Sequence, residues 1–178
     1  MVTKPNFDTL VEAHSAEIFA YLWRMMGEKA DAEDCLQETF LRAFRGYSHL
    51  VSGSNYRAWL YKIATNVART HFSRRKRAAI HKVKIDPSRL QGGISPVDEL
   101  DRQEMLMVVL EAVEGLPYKQ RAAFMMRKYQ GLSYHTIATV LGGTEDAARA
   151  NVYQALKKLR AQFVTVTEGS REKPWAKR

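Results

Sequence analysis

The sequence predicts an all-α protein made of two small helical domains joined by a flexible linker. Apolar residues recur at helical spacing through most of the 178 residues, and no useful length alternates apolar with polar side chains. Residues 80–96 contain two prolines and a Gly-Gly pair without a sustained period, which is typical of a linker. Charge is also unevenly spread along the chain, which favours two separate modules.

Basic charge is concentrated in two blocks. Residues 39–85 hold eleven Lys and Arg and no Asp or Glu, and residues 115–178 hold twelve basic and four acidic residues. Between the two blocks, residues 86–114 hold two basic and seven acidic residues. The formal net charge of +9, and above all its distribution, predicts two surfaces that face nucleic acid.

The first basic block also carries seven aromatic residues, from Phe40 to Phe72. Exposed rings offer stacking platforms to unpaired bases, each worth about 1–3 kcal/mol, while Lys and Arg neutralise phosphates. The alternative is a solvated basic face over a buried aromatic core, because five of the seven rings fall at helical spacing. At this point both interpretations stay open.

Residue usage argues against several other classes of protein. Cys35 is the only cysteine, so no internal disulfide can form and a reducing cytoplasm is expected. The five histidines lack metal-ligand spacing, no glycine loop suits a phosphate, and no nucleophile has an evident base. We therefore expect no cofactor and no enzyme activity. The chain start and the lack of a long apolar run predict a soluble protein without membrane insertion.

The apolar pattern predicts three helices in the first module. The first begins near Phe7 and stops at Gly27, and the second begins near Asp31 and ends before Gly46. The residues expected on the buried face of the second helix are Leu36, Phe40, Ala43 and Phe44. A Gly- and Ser-rich loop, residues 46–55, then leads into a long third helix.

The second module is predicted to contain four helices. The first is expected to begin at Ser95-Pro96 and to end at Gly115. The next two are expected over residues 117–130 and 133–141, and the last begins after Thr144. The last helix is expected to bury Ala148, Val152, Ala155, Leu156, Leu159 and Phe163. Residues 165–178 are predicted to be a disordered tail.

Small residues in the second module indicate a helix-turn-helix. Ala138, Gly142 and Ala148 have the spacing of two tightly crossing helices, since small residues permit close approach and glycine allows the left-handed turn. Helical spacing then leaves an outward face that suits a major-groove reader, formed by Asp146, Arg149, Ala150, Tyr153, Gln154 and Lys157. The alternative is a purely structural helical hairpin.

A narrow stripe on the second helix lies nearly opposite its predicted buried face. At 100° per residue the stripe contains Asp34, Gln37, Glu38, Leu41 and Arg45. An exposed leucine between acid, amide and base suits docking against a helix of another protein. An ordinary solvated face is the alternative.

Three segments together resemble one family. They are DAEDCLQETFLRAFR (31–45), NYRAWLYKIATNVARTHFSRRKR (55–77) and GLSYHTIATVLG (131–142) with the helix after it, and the LPYKQR opening at Leu116 agrees. In order and spacing the chain resembles the extracytoplasmic-function (group 4) sigma factors of bacterial RNA polymerase. This resemblance implies sigma region 2 at residues 1–79, a linker at 80–96, sigma region 4 at 97–164 and a tail at 165–178.

The resemblance also implies partners and site residues. The expected partners are core RNA polymerase, promoter DNA as duplex and as melted strand, and an anti-sigma factor. Core polymerase binding is assigned to Asp34, Gln37, Glu38 and Leu41. Minus-ten recognition and melting is assigned to Ser52, Asn55, Tyr56, Trp59, Lys62, Asn66, Arg69, Ser73, Arg74, Arg75 and Arg77. Minus-thirty-five recognition is assigned to Ser133, Thr144, Arg149, Ala150, Tyr153, Gln154 and Lys157.

One of these assignments, and the function of the whole chain, carry an alternative. By the same resemblance, the loop from about Tyr47 to Asn55 is expected to capture a flipped base of the minus-ten element. Asn66 is expected to read a base of the melted strand, whereas Trp59 is either a stacking platform or a core residue. A stand-alone helix-turn-helix repressor or activator is the rival function for the whole chain. Such a protein normally dimerises on a palindromic duplex and has no need of the acid-free aromatic module.

Overall fold

The computed structural model describes residues 4–79 and 111–171, and the side chains within 4–75 and 111–162. The predicted linker, the Ser95-Pro96 helix start and the side chains of Arg77 and Phe163 lie outside these described parts. The helices described in full are α1 (Phe7–Met26), α2 (Lys29–Tyr47), α3 (Tyr56–Ala79), α4 (Tyr118–Lys128), α5 (Tyr134–Leu141) and α6 (Glu145–Arg171). Residues 111–114 are also helical and end at Gly115, as predicted.

The first module is a bundle of α1, α2 and α3. Helix α1 stops as predicted at Gly27, whose φ of 72° is left-handed and whose N–H donates to the carbonyl of Trp23 at 2.8 Å. On its buried face, Tyr21 meets Tyr61 of α3 edge to face with ring centroids 5.3 Å apart. The Tyr21 hydroxyl also lies 3.0 Å from that of Thr65. These contacts fix α1 against α3.

Helix α2 differs from the prediction in its buried face. The side chains buried in α2 are Ala32, Cys35, Thr39 and Ala43. Leu36 and Phe40 are only partly buried, and Phe44 is 65% exposed, so the prediction of Phe44 as core is wrong. The small residues are on the inside because α2 lies close to α1 and α3, and a close helix pair accommodates small side chains best.

The bounds of α2 also differ from the prediction. The helix begins at Lys29, two residues before Asp31, and it continues through Gly46 to Tyr47. At Gly46 a Cβ would lie 3.4 Å from Cζ2 of Trp59, so the missing side chain lets the tryptophan approach. The loop before α3 is correspondingly shorter than predicted.

The second module contains the predicted helix-turn-helix. The side chain of Ser133 caps α5 by accepting from the N–H of Thr136 at 3.1 Å. Gly142 ends α5 with a φ of 67°, and Ala138 and Ala148 are buried where the two helices cross. Helix α4 is shorter than predicted, Tyr118–Lys128 rather than 117–130.

Helix α6 is longer than predicted. It continues to Arg171, so the expectation of disorder is wrong for residues 165–171. No proline occurs in that stretch, and its one glycine, Gly169, costs a helix only about 1 kcal/mol relative to alanine. The buried residues of α6 otherwise follow the prediction, with Ala148, Val152, Ala155 and Leu159 in the core and Leu156 partly buried.

The two modules contact each other along one side of α3 and the end of α1. The hydroxyl of Tyr118 donates to the carbonyl of Thr65, and the Tyr118 ring meets Phe72 edge to face at 5.8 Å. Burial raises the pKa of Tyr118, so this hydroxyl stays protonated and remains a donor. A second contact lies nearby, where Arg121 donates from Nη1 to the carbonyl of Met25 at 3.2 Å.

Candidate functional site

The stripe on α2 is exposed, as its spacing predicts. Asp34 and Gln37 face solvent, Glu38 is half-buried, and Leu41 is 53% exposed. Phe44, one turn beyond Leu41, extends this apolar surface and is supported from below by Phe7, with ring centroids 5.3 Å apart. The result is a continuous apolar and acidic strip along one helix, which is suited to contact with a protein.

One residue of the stripe already has an ion partner on its own helix. The Glu38 carboxylate accepts from Nε of Arg42 at 2.6 Å, one turn along. Beneath the stripe, burial and the nearby acids Asp31, Asp34 and Glu38 raise the pKa of the Cys35 thiol to about 11. A neutral buried thiol is a poor nucleophile, so Cys35 serves packing at this position.

The loop between α2 and α3 has a compact internal structure. Ser54 Oγ donates to the carbonyl of Val51 at 2.8 Å, and the hydroxyl of Tyr56 donates to the same carbonyl at 3.3 Å. Gly53 has a φ of 81° with open space around it, and Ser52 beside it is exposed. The loop therefore holds its tip, including Ser52, out toward solvent.

Two predicted minus-ten residues also have structural roles in the free chain. Asn55 caps α3, since its side-chain oxygen accepts from the N–H of Ala58 at 2.9 Å. Trp59 is partly buried, packs against the core and approaches Gly46 closely. These contacts favour the core interpretation of Trp59 over a stacking platform.

One face of α3 presents basic and polar side chains at regular spacing. Lys62, Arg69 and Ser73 are exposed, and Asn66 between them is half-buried. An open depression of about 400 Å³ lies on this face, lined by Arg69, Thr70, Ser73 and Arg74. Because its lining contains two guanidinium groups and no carboxylate, the depression suits the phosphate backbone of a nucleic acid.

The end of α3 differs in its electrostatics. Arg75 donates to Asp31 of α2 at 3.2 Å, and Nε2 of His71 lies 3.5 Å from the same carboxylate. Arg74 is exposed and borders the depression described above. Of the two neighbouring arginines, Arg74 is therefore better placed to meet DNA, while Arg75 connects α3 to α2.

The outward face of α6 is exposed as predicted. Its exposed members are Asp146, Arg149, Ala150, Tyr153, Gln154 and Lys157. Ser133 and Thr144 instead act as caps of α5 and α6, and the Thr144 hydroxyl accepts from the N–H of Ala147 at 3.2 Å. Exposed N-termini capped in this way also place backbone N–H groups where a phosphate can approach.

Sequence reasoning missed two features of these surfaces. Arg121 is 7% exposed, and it lies over the ring of Phe72 with Cζ 4.9 Å from the centroid. No local pattern indicates a buried arginine whose hydrogen-bond acceptors are backbone carbonyls, one of them 96 positions away in the chain. Glu145 was missed as well, although its position one turn before Arg149 is a spacing that favours an ion pair.

The described parts of the chain contain neither a candidate metal site nor a candidate membrane span. Within residues 4–79 and 111–171, no group of three His, Cys, Asp or Glu side chains could hold a metal ion. No helix in those ranges has both the length and the apolar content needed to cross a bilayer.

Family models match both modules. The model for Sigma-70 region 2 matches residues 10–78, and the model for Sigma-70, region 4 matches residues 106–159. Together the two matches cover more than two thirds of the chain. They also fall in the order and at the positions of the two modules described above.

Curated relatives agree with these matches. The chain is 30% identical to the ECF RNA polymerase sigma factor SigE of Mycolicibacterium smegmatis, over 88% of this chain and 61% of that protein. It is 28% identical to the RNA polymerase sigma-H factor of Pseudomonas aeruginosa, over 85% of this chain and 83% of that protein. The chain thus spans less than two thirds of the first relative and most of the second.

Two solved structures share the fold. One is the sigma factor RpoE in complex with the anti-sigma factor NepR from Bartonella quintana, with a TM-score of 0.68 over 88% of this chain and 96% of that one. The other is CnrH in complex with the cytosolic domain of CnrY, with a TM-score of 0.65 over 89% and 88%. Both are 24% identical to this chain, so they bear on the fold alone. With both region models matched and relatives named as ECF sigma factors, the chain belongs to the extracytoplasmic-function sigma factor family.

Proposed function

We propose that this protein binds core RNA polymerase and directs promoter-specific transcription initiation through minus-thirty-five and minus-ten recognition and promoter melting. The observation that carries the proposal is the placement of three exposed faces on one chain. The stripe on α2 suits a protein, the α3 face suits a melted strand, and the α6 face suits a duplex groove. The protein itself would have no catalytic site, because the polymerase performs the chemistry.

In this proposal each face has a separate task. Asp34, Gln37, Glu38 and Leu41 contact the polymerase, and Phe44 extends that contact because it continues the same exposed strip. Lys62, Asn66, Arg69, Ser73 and Arg74 follow the melted strand, with Ser52 at the loop tip. Arg149, Ala150, Tyr153, Gln154 and Lys157 meet the upstream duplex.

An anti-sigma factor is the further partner that we propose. One solved structure of similar fold contains a sigma factor in complex with an anti-sigma factor, and another contains CnrH in complex with the cytosolic domain of CnrY. A partner that occupies the faces of this chain would keep it from the polymerase.

The decisive experiment is run-off transcription with purified core RNA polymerase on a library of randomised promoters. We expect the full chain to produce transcripts from a defined subset of templates that core polymerase alone does not use. A chain that binds palindromic duplexes as a dimer, without promoter-dependent transcripts, would instead support the repressor or activator alternative.

The α2 stripe is tested by co-purification with core polymerase. We expect the double variant Gln37→Ala with Glu38→Ala to lose at least tenfold in retained polymerase, because it removes polar contacts from the proposed docking face. The matched control is Thr9→Ala with Glu12→Ala, which also removes one neutral and one acidic side chain from exposed positions, on α1. Equal retention by the two double variants, with unchanged helical circular dichroism, would contradict the assignment.

A further inference from the structure

Tyr134, the first residue of α5, lies beside two arginines. The Cζ atom of Arg127 is 4.6 Å from the centroid of the Tyr134 ring, and that of Arg149 is 5.2 Å from it. Arg127 is itself held, since its Nη1 donates to the carbonyl of Leu132 at 3.1 Å. The ring is half-buried and packs against the core of the module, so it is a fixed surface for the guanidinium of Arg149.

Glu145, the first residue of α6, holds the same guanidinium from another direction. Its Oε1 accepts from Nη2 of Arg149 at 2.5 Å, one helical turn along. Asp146 makes a longer contact, 3.4 Å from its Oδ1 to Nη1, and its side chain is 94% exposed. The close contact is therefore the one with Glu145, and the one with Asp146 is marginal.

These contacts limit the orientations that Arg149 can take. A free arginine side chain samples many rotamers, and part of that freedom is already lost when a ring and a carboxylate hold the guanidinium. The guanidinium has five N–H donors, and the contacts with Glu145 and Asp146 each use one of its two terminal nitrogens. Donors remain for a ligand, and the side chain is still 54% exposed.

A fixed arginine and a mobile one recognise DNA differently. Bidentate pairing with the O6 and N7 atoms of guanine requires the plane of the guanidinium to match the base edge in the major groove. A mobile arginine instead contacts whichever phosphate is nearest, which adds affinity for every sequence alike. An arginine held by a ring and a carboxylate belongs to the first kind.

We propose that Tyr134 and Glu145 are positioning residues that orient Arg149 for a guanine of the upstream promoter element. This inference rests on the proposed function, because it takes α6 to read that element. It assigns sequence discrimination at one base pair to two residues that would not touch the base themselves.

The role of Glu145 can be separated from a plain charge effect. A carboxylate near DNA repels phosphates, so its neutralisation would ordinarily tighten binding to all sequences. If Glu145 instead positions Arg149, its neutralisation frees Arg149. Discrimination at the base pair that Arg149 reads then becomes weaker. The two effects can therefore be read from one set of duplexes.

The test uses holoenzyme reconstituted from the full chain and core RNA polymerase. Binding is measured on a promoter selected from the randomised library and on versions with each upstream base pair replaced singly. We expect Glu145→Gln and Tyr134→Leu each to reduce discrimination at one base pair by about tenfold, the scale of one bidentate contact. The salt dependence should change by no more than about one phosphate contact, because a freed Arg149 can move from the base edge to a phosphate.

Two matched variants serve as controls. Glu111→Gln removes the same charge from an exposed position of the second module outside α6, and Tyr134→Phe keeps the ring while removing the hydroxyl. Both should retain wild-type discrimination. Tighter binding of Glu145→Gln to every duplex alike, with discrimination intact, would overturn the inference, as would equal behaviour of Tyr134→Leu and Tyr134→Phe. Thermal unfolding checks that Tyr134→Leu is folded, and Glu145→Gln carries the test if it is not.

An Arg149→Ala variant distinguishes failure of the positioning roles from failure of the proposed minus-thirty-five recognition. Loss of discrimination in Arg149→Ala but not in Glu145→Gln would overturn the positioning roles and leave the reading role of Arg149 in place. Unchanged discrimination in Arg149→Ala would contradict the proposed minus-thirty-five role of Arg149 itself.

Discussion

At the scale of single residues, the carboxylate of Glu17 connects the two modules through one arginine. Arg57 donates to it from Nη2 at 2.7 Å and from Nε at 3.0 Å, and also donates to the carbonyl of Gln130 at 3.0 Å. His14 lies on its other side, with Nδ1 2.6 Å from Oε1. Burial alone would raise the pKa of Glu17, but the hydrogen bonds from Arg57 and His14 outweigh it and hold the pKa below its ordinary value.

This lowered pKa gives a pH dependence with a definite sign. A carboxyl whose pKa is lower in the folded state stabilises the fold above its unfolded pKa, and the contribution is lost as pH falls through the folded value. We expect Glu17→Gln to lower the free energy of unfolding by about 1 kcal/mol at pH 7. The difference from wild type should shrink as the pH falls below 4.5.

Urea titrations at pH 7 and pH 3 measure this difference. The control is Glu33→Gln, since the ion pair of Glu33 with Lys29, at 3.7 Å, is exposed and its loss should change little at either pH. A loss in Glu17→Gln that is the same at both pH values would show that the charge of Glu17 is not its source.

Residue-level prediction succeeded where position on a helix decides the outcome. The exposure of Gln37 and Leu41 follows from regular 100° steps, which hold wherever a helix forms. It failed at Phe44, because an apolar side chain was equated with burial although the inner face of α2 had room only for small residues. Burial of Arg121 was also unpredictable, since it depends on how the modules meet.

At the scale of elements, the turn of the helix-turn-helix depends on one glycine. Gly142 has a φ of 67° and open space where a Cβ would stand, so a substitution there meets backbone strain and no clash. We expect Gly142→Ala to lower the free energy of unfolding by about 1 kcal/mol. Thermal or urea unfolding of the full chain measures it.

The adjacent glycine is a matched control. Gly143 is outside the left-handed region, and a Cβ there would be 3.8 Å from that of Ala147, an ordinary contact. Gly143→Ala should therefore be neutral or slightly stabilising. Equal losses in the two variants would mean that the turn geometry is not the source of the cost.

Element boundaries were predicted well where a residue forces them. Gly27 and Gly142 end their helices at the predicted positions, because left-handed φ values stop a helix at glycine. Where no such residue stands, the ends differ, as at Lys29 and Arg171. The sequence predicted the candidate faces for the same reason, since all of them lie on helices with clear apolar periods.

At the scale of the whole molecule, the contacts between the modules conflict with the proposed recognition of two promoter elements at once. The minus-ten and minus-thirty-five elements are about 25 base pairs apart by name, on the order of 85 Å at 3.4 Å per base pair. A globular chain of this length has a radius of gyration of only about 16 Å. Simultaneous contact with both elements therefore requires the modules to separate.

Weakening the contacts between modules should open the chain. We expect Tyr118→Phe with Arg121→Met to increase the radius of gyration, because the variant loses the hydrogen bonds to Thr65 and Met25. Small-angle X-ray scattering measures this change. Lys157→Ala, at an exposed position on α6, is the control and should leave the radius unchanged. An unchanged radius in the double variant, with helical circular dichroism intact, would contradict the expectation.

The buried thiol of Cys35 can serve as a chemical reporter of motion in α2. It is the only thiol of the chain, and it lies on the inner face of α2 with its ionisation suppressed. A thiol reagent can therefore react only when α2 moves away from α1 and α3. The labelling rate then measures how often the inner face of the proposed docking helix becomes accessible to solvent.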